Sequence, residues 1–333
     1  MWRFIRGQGG GDVPCIVSMP ASLWDEDPDF YQRLTTDMRD VCVAVGRDPQ
    51  RAAESTSVDK WGCTWHYPGR YFDGQVVGHP LSDWAQYGQF NAPSVQDYRN
   101  WEADARRIAD QRNRGEPAAV SAEHGFLYLR MTYLRGFENF MIDLATGQAE
   151  LFDLRDRIVR FWVEMVDRYA ALGAEKIYFG DDLGHQTSLP MSPQMWRGFL
   201  KPAFKTIFDR CHEHDIAVYM HTDGYIVELL DDLVEIGVDI LNPQDLVNGL
   251  DNLSRLAKGR VAIDLDIDRQ SVTVFGKPDQ IDRHVRACIE TLGSPGGQLS
   301  LIYGAYPGTP KENVAAVARA MQAYRTLWRR SPL

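Results

Sequence analysis

Three short apolar runs, each ending abruptly in polar groups, constrain this chain more than any other feature. KIYFGDDLG begins at Lys176, IAVYMHTDG at Ile216 and VDILNPQD at Val238, with helix-sized stretches between them. Apolar runs of four to eight residues that alternate with helical segments predict strands of a buried parallel sheet. In such folds the side chains at the carboxyl ends of strands converge on the ligand site. The first run ends at Asp181 and Asp182, the second at His221 and Asp223, the third at Asn242 and Gln244. A carboxylate pair, a His-x-Asp and amides delivered to one rim have the chemistry of a reaction centre.

The flanking sequence extends the pattern. PCIVSMP predicts a first strand, and Asp27 to about Val45 a helix with Phe30, Leu34, Met38 and Val41 on one face. The aromatic stretch ESTSVDKWGCTWHYPGRYFDG reads as a second strand and a long loop. AAVSAEHG reads as a third strand, RVAIDLDID as a seventh and QLSLIYG as an eighth, with Tyr303 near its end. Ser192-Pro193 and Thr309-Pro310-Lys311-Glu312 carry helix-start chemistry, a capping hydroxyl followed by proline at the first helical position. Eight strands with intervening helices and no linker predict one α/β domain over residues 1–333, an (α/β)8 TIM-type barrel behind a flexible Gly-rich start at 1–12. A length of 333 residues suits one such barrel.

Composition narrows the function classes. A formal charge of −10 argues against nucleic acid, which needs a concentrated basic face. No apolar run approaches the roughly 18 residues of a membrane span, and MWRFIRGQGGGDVP has no apolar signal core. The five cysteines are scattered without a C-x-x-C, the pattern of reduced thiols. The expectation is a cytoplasmic protein acting on a small molecule, with a homodimer as the assembly suggested by analogy.

GDDLG, then SPQMWRGFLKPAFKTIFDRCHEHDIAVYMHTDGYIVELLDDLVEIGVDILNPQD, then GTPKENV resemble the uroporphyrinogen decarboxylase superfamily. The resemblance is nearest to its branch of zinc- and corrinoid-linked methyltransferases and is most specific over residues 176–245. It implies an (α/β)8 barrel with its site at the strand carboxyl ends. Porphyrinogen decarboxylases carry an Arg-Gln-Ala-Gly-Arg loop near the amino terminus; the corresponding PCIVSMPASLW has no arginine, so uroporphyrinogen is not the expected substrate. The methyltransferase branch holds zinc with a His-x-Cys-Gly and a later Cys. Here His221 and Gly224 are kept, Asp223 stands at the first cysteine and Ala305 at the second. Two thiolates are therefore replaced, and with them the soft site that activates a thiol acceptor.

The remaining set is hard. His221 and Asp223, two apart on a strand, face the same side and are the candidate metal ligands for zinc, manganese, iron(II) or magnesium. Without a metal, Asp182 and His221 act as an acid/base pair. Asp182, His221, Asp181 and Tyr303 are the catalytic candidates; Trp61, Trp65, His124, Glu138, Gln244 and Asp264 are the substrate-binding ones. Trp61, Trp65 and Tyr67 form either an aromatic wall to a pocket or packing beneath a lid. Asp181 has a second reading as a strand-end anchor, and His212 and His214 read as structural. Three functions compete: methyl transfer or demethylation with a corrinoid protein or folate as carrier, a lyase acting on a small carboxylic acid, and a non-catalytic ligand-binding barrel. The chain carries no corrinoid motif, so that cofactor would sit on a partner protein.

Overall fold

The computed structural model describes residues 2–44, 54–69 and 74–329. Eight parallel strands alternate with helices along the chain, the α/β architecture of a TIM-type barrel. Contacts divide the chain into two compact units.

The first unit comprises residues 1–50, 224–231 and 240–333. It contains β1 (Cys15–Met19), β2 (Cys42–Ala44), and, in the carboxyl-terminal half, β9 (Ile240–Pro243), β10 (Ala262–Asp266) and β11 (Leu299–Gly304). Their spatial order is β2-β1-β11-β10-β9, all parallel. The helices Pro278–Leu292 and Lys311–Tyr324 each bury one apolar stripe. Ile281, Val285 and Ile289 form the first stripe, Val314, Val317 and Met321 the second, at the three- and four-residue spacing of an amphipathic helix.

The second unit comprises residues 51–223 and 232–239. It contains β6 (Ala119–His124), β7 (Lys176–Gly180) and β8 (Ala217–Thr222), ordered β8-β7-β6, together with a separate antiparallel sheet of β3 (Ser55–Val58), β4 (Thr64–Tyr67) and β5 (Gln75–Gly78). The 24-residue helix Ala149–Leu172 buries Leu151, Leu154, Ile158, Phe161, Trp162, Met165 and Tyr169. Phe126, Trp162, Phe179, Phe204 and Phe208 pack ring against ring in a fully buried cluster. Ring pairs of this kind add roughly 0.5–1.5 kcal/mol each beyond the area they bury.

Two expectations need correction. The second barrel strand is not in the aromatic stretch after Glu54 but is Cys42–Ala44, where the helix ends early at Asp37. The aromatic stretch forms β3 and β4, an antiparallel pair in which Ser55 faces Tyr67 and Val58 faces Thr64. Its loop is organised by Asp59. One carboxylate oxygen accepts from Trp61 N and Cys63 N, both at 2.9 Å, and the other from Trp65 Nε1 at 2.9 Å. At the start of the chain, Trp2–Ile5 is one helical turn, and Gln298 Nε2 donates to the Ile5 carbonyl at 2.7 Å.

Candidate active site

Strand register assembles the site. His124 on β6 is level with Gly180 on β7, and Gly180 is level with His221 on β8. The two residues that follow Gly180, Asp181 and Asp182, therefore leave the sheet between the two histidines. Backbone hydrogen bonds fix the chain there. Asp181 N donates to the His221 carbonyl at 3.1 Å, Gly184 N to the Asp223 carbonyl at 3.3 Å, and Leu183 N to the buried Thr222 hydroxyl at 3.0 Å.

The two aspartates then diverge. Asp181 is fully buried, and its carboxylate accepts three backbone N–H groups. Leu127 N and Tyr128 N reach Oδ2 at 3.2 and 2.6 Å, and Leu129 N reaches Oδ1 at 2.8 Å. These are the unpaired donors at the start of the helix Tyr128–Arg135, where a carboxylate is favoured by hydrogen bonding and by the helix dipole. Burial nevertheless pushes its pKa up to about 7, against the pull of those donors and with the Asp182 charge adding to the rise. A carboxylate spent on a helix start is an anchor, so of the two readings the sequence left for Asp181 the geometry supports the structural one.

Asp182 points the other way, half-buried among the polar groups. Its Oδ2 lies 3.2 Å from His124 Nε2, and its Oδ1 accepts Asp223 N at 3.1 Å and lies 3.9 Å from His221 Nε2. His221 Nε2 is also 3.5 Å from Asp223 Oδ1, and the two histidine rings are 5.7 Å apart. Asp182, His221 and Asp223 offer ligand atoms all within 4.8 Å of one another, a spacing that admits one metal ion. Burial raises the Asp182 pKa; His124 opposes the rise and Asp223 adds to it. The donors are one imidazole nitrogen and carboxylate oxygens, so the set fits a hard or borderline divalent ion and does not fit a thiolate-held zinc. No cysteine is among these donors.

Other candidates have different neighbours. Trp61 is 2% exposed; its indole N–H donates to Tyr98 Oη at 2.9 Å and its ring packs on Phe161. Its side chain is packed in the core. Trp65 is half-buried, its ring 5.1 Å from that of Tyr133. Glu138 is exposed in the first turn of the helix Phe137–Thr146. In the other unit, Tyr303 is 1% exposed and hydrogen-bonded to Thr273 and Thr309, a packed phenol with no free face for a substrate. Gln244 Oε1 accepts Gly224 N at 2.9 Å, holding the turn in which Gly224 takes φ +85°, a conformation that side chains with a Cβ disfavour. Asp264 Oδ1 accepts the Ser300 hydroxyl at 2.7 Å. His212 and His214 pair with Asp239 and Asp167 at 2.9 Å each, as structural residues do.

Of two further residues near the site, Tyr133 was not singled out from sequence, whereas Arg130 was expected to face a polar pocket or pair internally. Burial raises the pKa of the Tyr133 phenol, and the charges of Asp181 and Asp182 add to the rise. Arg130, buried under the Trp61 and Tyr133 rings, donates to Asp59 Oδ2 at 2.7 Å and Glu123 Oε2 at 3.1 Å. The signal for both was the apolar segment FLYLRMTYLRG, whose embedded arginines demanded internal partners.

Residues 79–324 match the family model of uroporphyrinogen decarboxylase (URO-D). The chain belongs to the uroporphyrinogen decarboxylase family. Two curated relatives are a uroporphyrinogen decarboxylase of Parasynechococcus marenigrum (strain WH8102), 26% identical over 167 residues, and a chloroplastic one of Zea mays, 24% identical over 249. The matches cover 47% and 73% of this chain, and 46% and 61% of the relatives, less than two thirds of either one's length. Among solved structures, a methyltransferase from Methanosarcina mazei superposes with a TM-score of 0.64 at 18% identity, covering 96% of both chains, a likeness of fold. The protein is thus a divergent member of the uroporphyrinogen decarboxylase family. None of its helices, among the described residues, is long and apolar enough to cross a membrane.

Proposed function

We propose that this enzyme removes a methyl group from a small substrate and passes it to a corrinoid protein or folate, using Asp182, His221 and Asp223 to activate the leaving group. The observation that carries this reading is the convergence of those three side chains, with Asp223 at the position of the first zinc cysteine in the resembling methyltransferases. A thiolate-held zinc activates an incoming thiol; an imidazole and carboxylates instead hold a hard divalent ion or move a proton. Asp182, Asp223 and His221 would hold such an ion, which when bound polarises the oxygen or nitrogen that carries the methyl group.

The chain's own residues supply the rest. Where no ion occupies the cluster, Asp182, whose pKa burial raises, can deliver a proton to the departing heteroatom; as a ligand it would be ionised and would give up that role. His124, 3.2 Å from Asp182, can return that proton from solvent, being partly exposed. The methyl group leaves its heteroatom, the carrier's nucleophile forms the new bond to carbon, and the proton stays with the leaving group. The likeness to the Methanosarcina mazei methyltransferase supports the barrel for this chemistry, and the absence of arginine from Pro14 to Trp24 argues against a substrate with many carboxylates.

A lyase reading is favoured by one observation, the acid/base adjacency of Asp182 and His124, which suits protonation of a carbanion after loss of carbon dioxide. One screen separates the two. The purified enzyme is incubated with methyl ethers, methylamines and small hydroxy acids, each with and without reduced free cobalamin or tetrahydrofolate. Carrier-dependent appearance of the demethylated product supports methyl transfer. Carrier-independent release of carbon dioxide from an acid supports the lyase and overturns the first reading.

A further inference from the structure

The unit that contains β9 and β10 holds a second cluster of metal-binding side chains that the proposed chemistry does not use. Asp245 opens the short helix Asp245–Asn248 directly after β9, and His284 and Cys288 lie four apart on the helix Pro278–Leu292, hence on one face. Asp245 and Cys288 are fully buried, and the His284 side chain is 12% exposed. His284 Nε2 is 2.6 Å from Asp245 Oδ2, and Cys288 Sγ is 3.9 Å from that oxygen and 3.8 Å from that nitrogen. The second carboxylate oxygen of Asp245 accepts the backbone N–H of Leu246, which fixes the orientation of the group.

We propose that Asp245, His284 and Cys288 bind a zinc-like divalent ion. The three donors belong to the classes that zinc takes, a carboxylate oxygen, an imidazole nitrogen and a thiolate. Metal–ligand distances of about 2.0–2.3 Å in a tetrahedron imply donor–donor edges of roughly 3.3–3.6 Å. The two edges to sulfur are already within a few tenths of an ångström of that range. Only the oxygen–nitrogen edge must open, by well under 1 Å, when the ion replaces the proton between them. A cavity of about 10 Å³, lined by Asp245 with Leu246, Val247, Ile267 and Asp268 and not by His284 or Cys288, has roughly the room of one water molecule. Binding releases the Cys288 thiol proton and one imidazole proton to solvent, leaving the sulfur as thiolate and His284 neutral with its proton on Nδ1. The ion then ties the end of β9 to the helix Pro278–Leu292, a structural role apart from the Asp182 cluster.

The thiolate makes the site separable by spectroscopy, because the donors around Asp182 include no sulfur. The full-length protein, stripped with chelator, is titrated with Co²⁺ and followed in the near ultraviolet, where thiolate-to-cobalt charge transfer absorbs. Wild type and the His221→Ala/Asp223→Ala protein are expected to develop the same band with the same amplitude at saturation, displaced by zinc. Cys288→Ala should lose it while keeping its apo melting temperature within a few degrees. If Cys288→Ala does not fold, wild type still decides: bound zinc should protect Cys288, read by peptide mass spectrometry, from alkylation in partial denaturant. Absence of the band, its survival in Cys288→Ala, or alkylation of Cys288 at the same rate with and without zinc would overturn the proposal in favour of a metal-free His284–Asp245 ion pair with Cys288 as a thiol donor. Because these outcomes do not depend on turnover, failure here is distinct from failure of the methyl-transfer reading.

Discussion

Replacing Asp181 should cost more stability than replacing any other catalytic candidate, because its carboxylate is, among the described residues, the side-chain acceptor of the three backbone N–H groups that begin the helix Tyr128–Arg135. In Asp181→Ala those donors lose their partner inside a fully buried site. A buried donor without an acceptor costs about 1–3 kcal/mol. Water entering the space left by the carboxyl can satisfy one or two of the three, so the expected loss is about 3–5 kcal/mol. Asp181→Asn should cost less, about 2–3 kcal/mol: its single oxygen can still serve Leu127 N and Tyr128 N, which share Oδ2, while its amide group faces the Leu129 N–H donor to donor. The assay is urea unfolding followed by far-ultraviolet circular dichroism at pH 6, with the slope compared to wild type before midpoints are converted. A loss below about 1 kcal/mol for Asp181→Ala, or Asn costing more than Ala, would refute the anchor role.

Further expectations follow from the same geometry. Asp181 has a folded pKa raised from 3.8 to about 7, so its contribution to stability is full below about pH 4 and is lost as pH rises toward 7; across that window wild type should lose on the order of 4 kcal/mol relative to Asp181→Asn, and parallel pH profiles for the two would contradict this. Arg130→Met should destabilise by about 1–3 kcal/mol, because it removes the buried cation that pairs Asp59 and Glu123, which keep only their neutral donors; recovery in an Arg130→Met/Glu123→Gln double variant, measured by urea unfolding, checks the pairing. His124→Ala removes the cation that holds the Asp182 pKa down, so the Asp182 limb of the pH–rate profile should move to higher pH. An unmoved limb would remove His124 from the site.

The parallel strands and the His124–Asp182–His221 meeting were legible because each strand is an apolar run that stops at an ionisable residue, and in parallel sheets strand ends share one rim. Less visible was β2: three residues, Cys42–Ala44, carry too little periodicity to separate them from the preceding helix. The stretch from Ser55 to Tyr67 has strand composition, but composition does not distinguish a barrel strand from a local antiparallel pair, and the hydrogen bonds of Asp59 decide it. Trp61 and Tyr303 show the same limit from the other side. An aromatic residue beside a motif can face the substrate or the core, and both are buried here. Asp245, His284 and Cys288 escaped notice because 39 residues separate the first two, a contact made by the fold with no local signature.

The central claim is that Asp182, His221 and Asp223 form a hard-ligand reaction centre, and divalent-ion binding tests it most directly. Wild type and His221→Ala/Asp223→Ala are each stripped with chelator, dialysed against Mn²⁺, a hard ion that a thiolate site disfavours, and counted for bound ion by electron paramagnetic resonance. The account predicts one equivalent in wild type and none in the variant, with both proteins folded. Equal binding in the two, or none in wild type, would contradict it and leave Asp182 with the histidines as a metal-free acid/base pair.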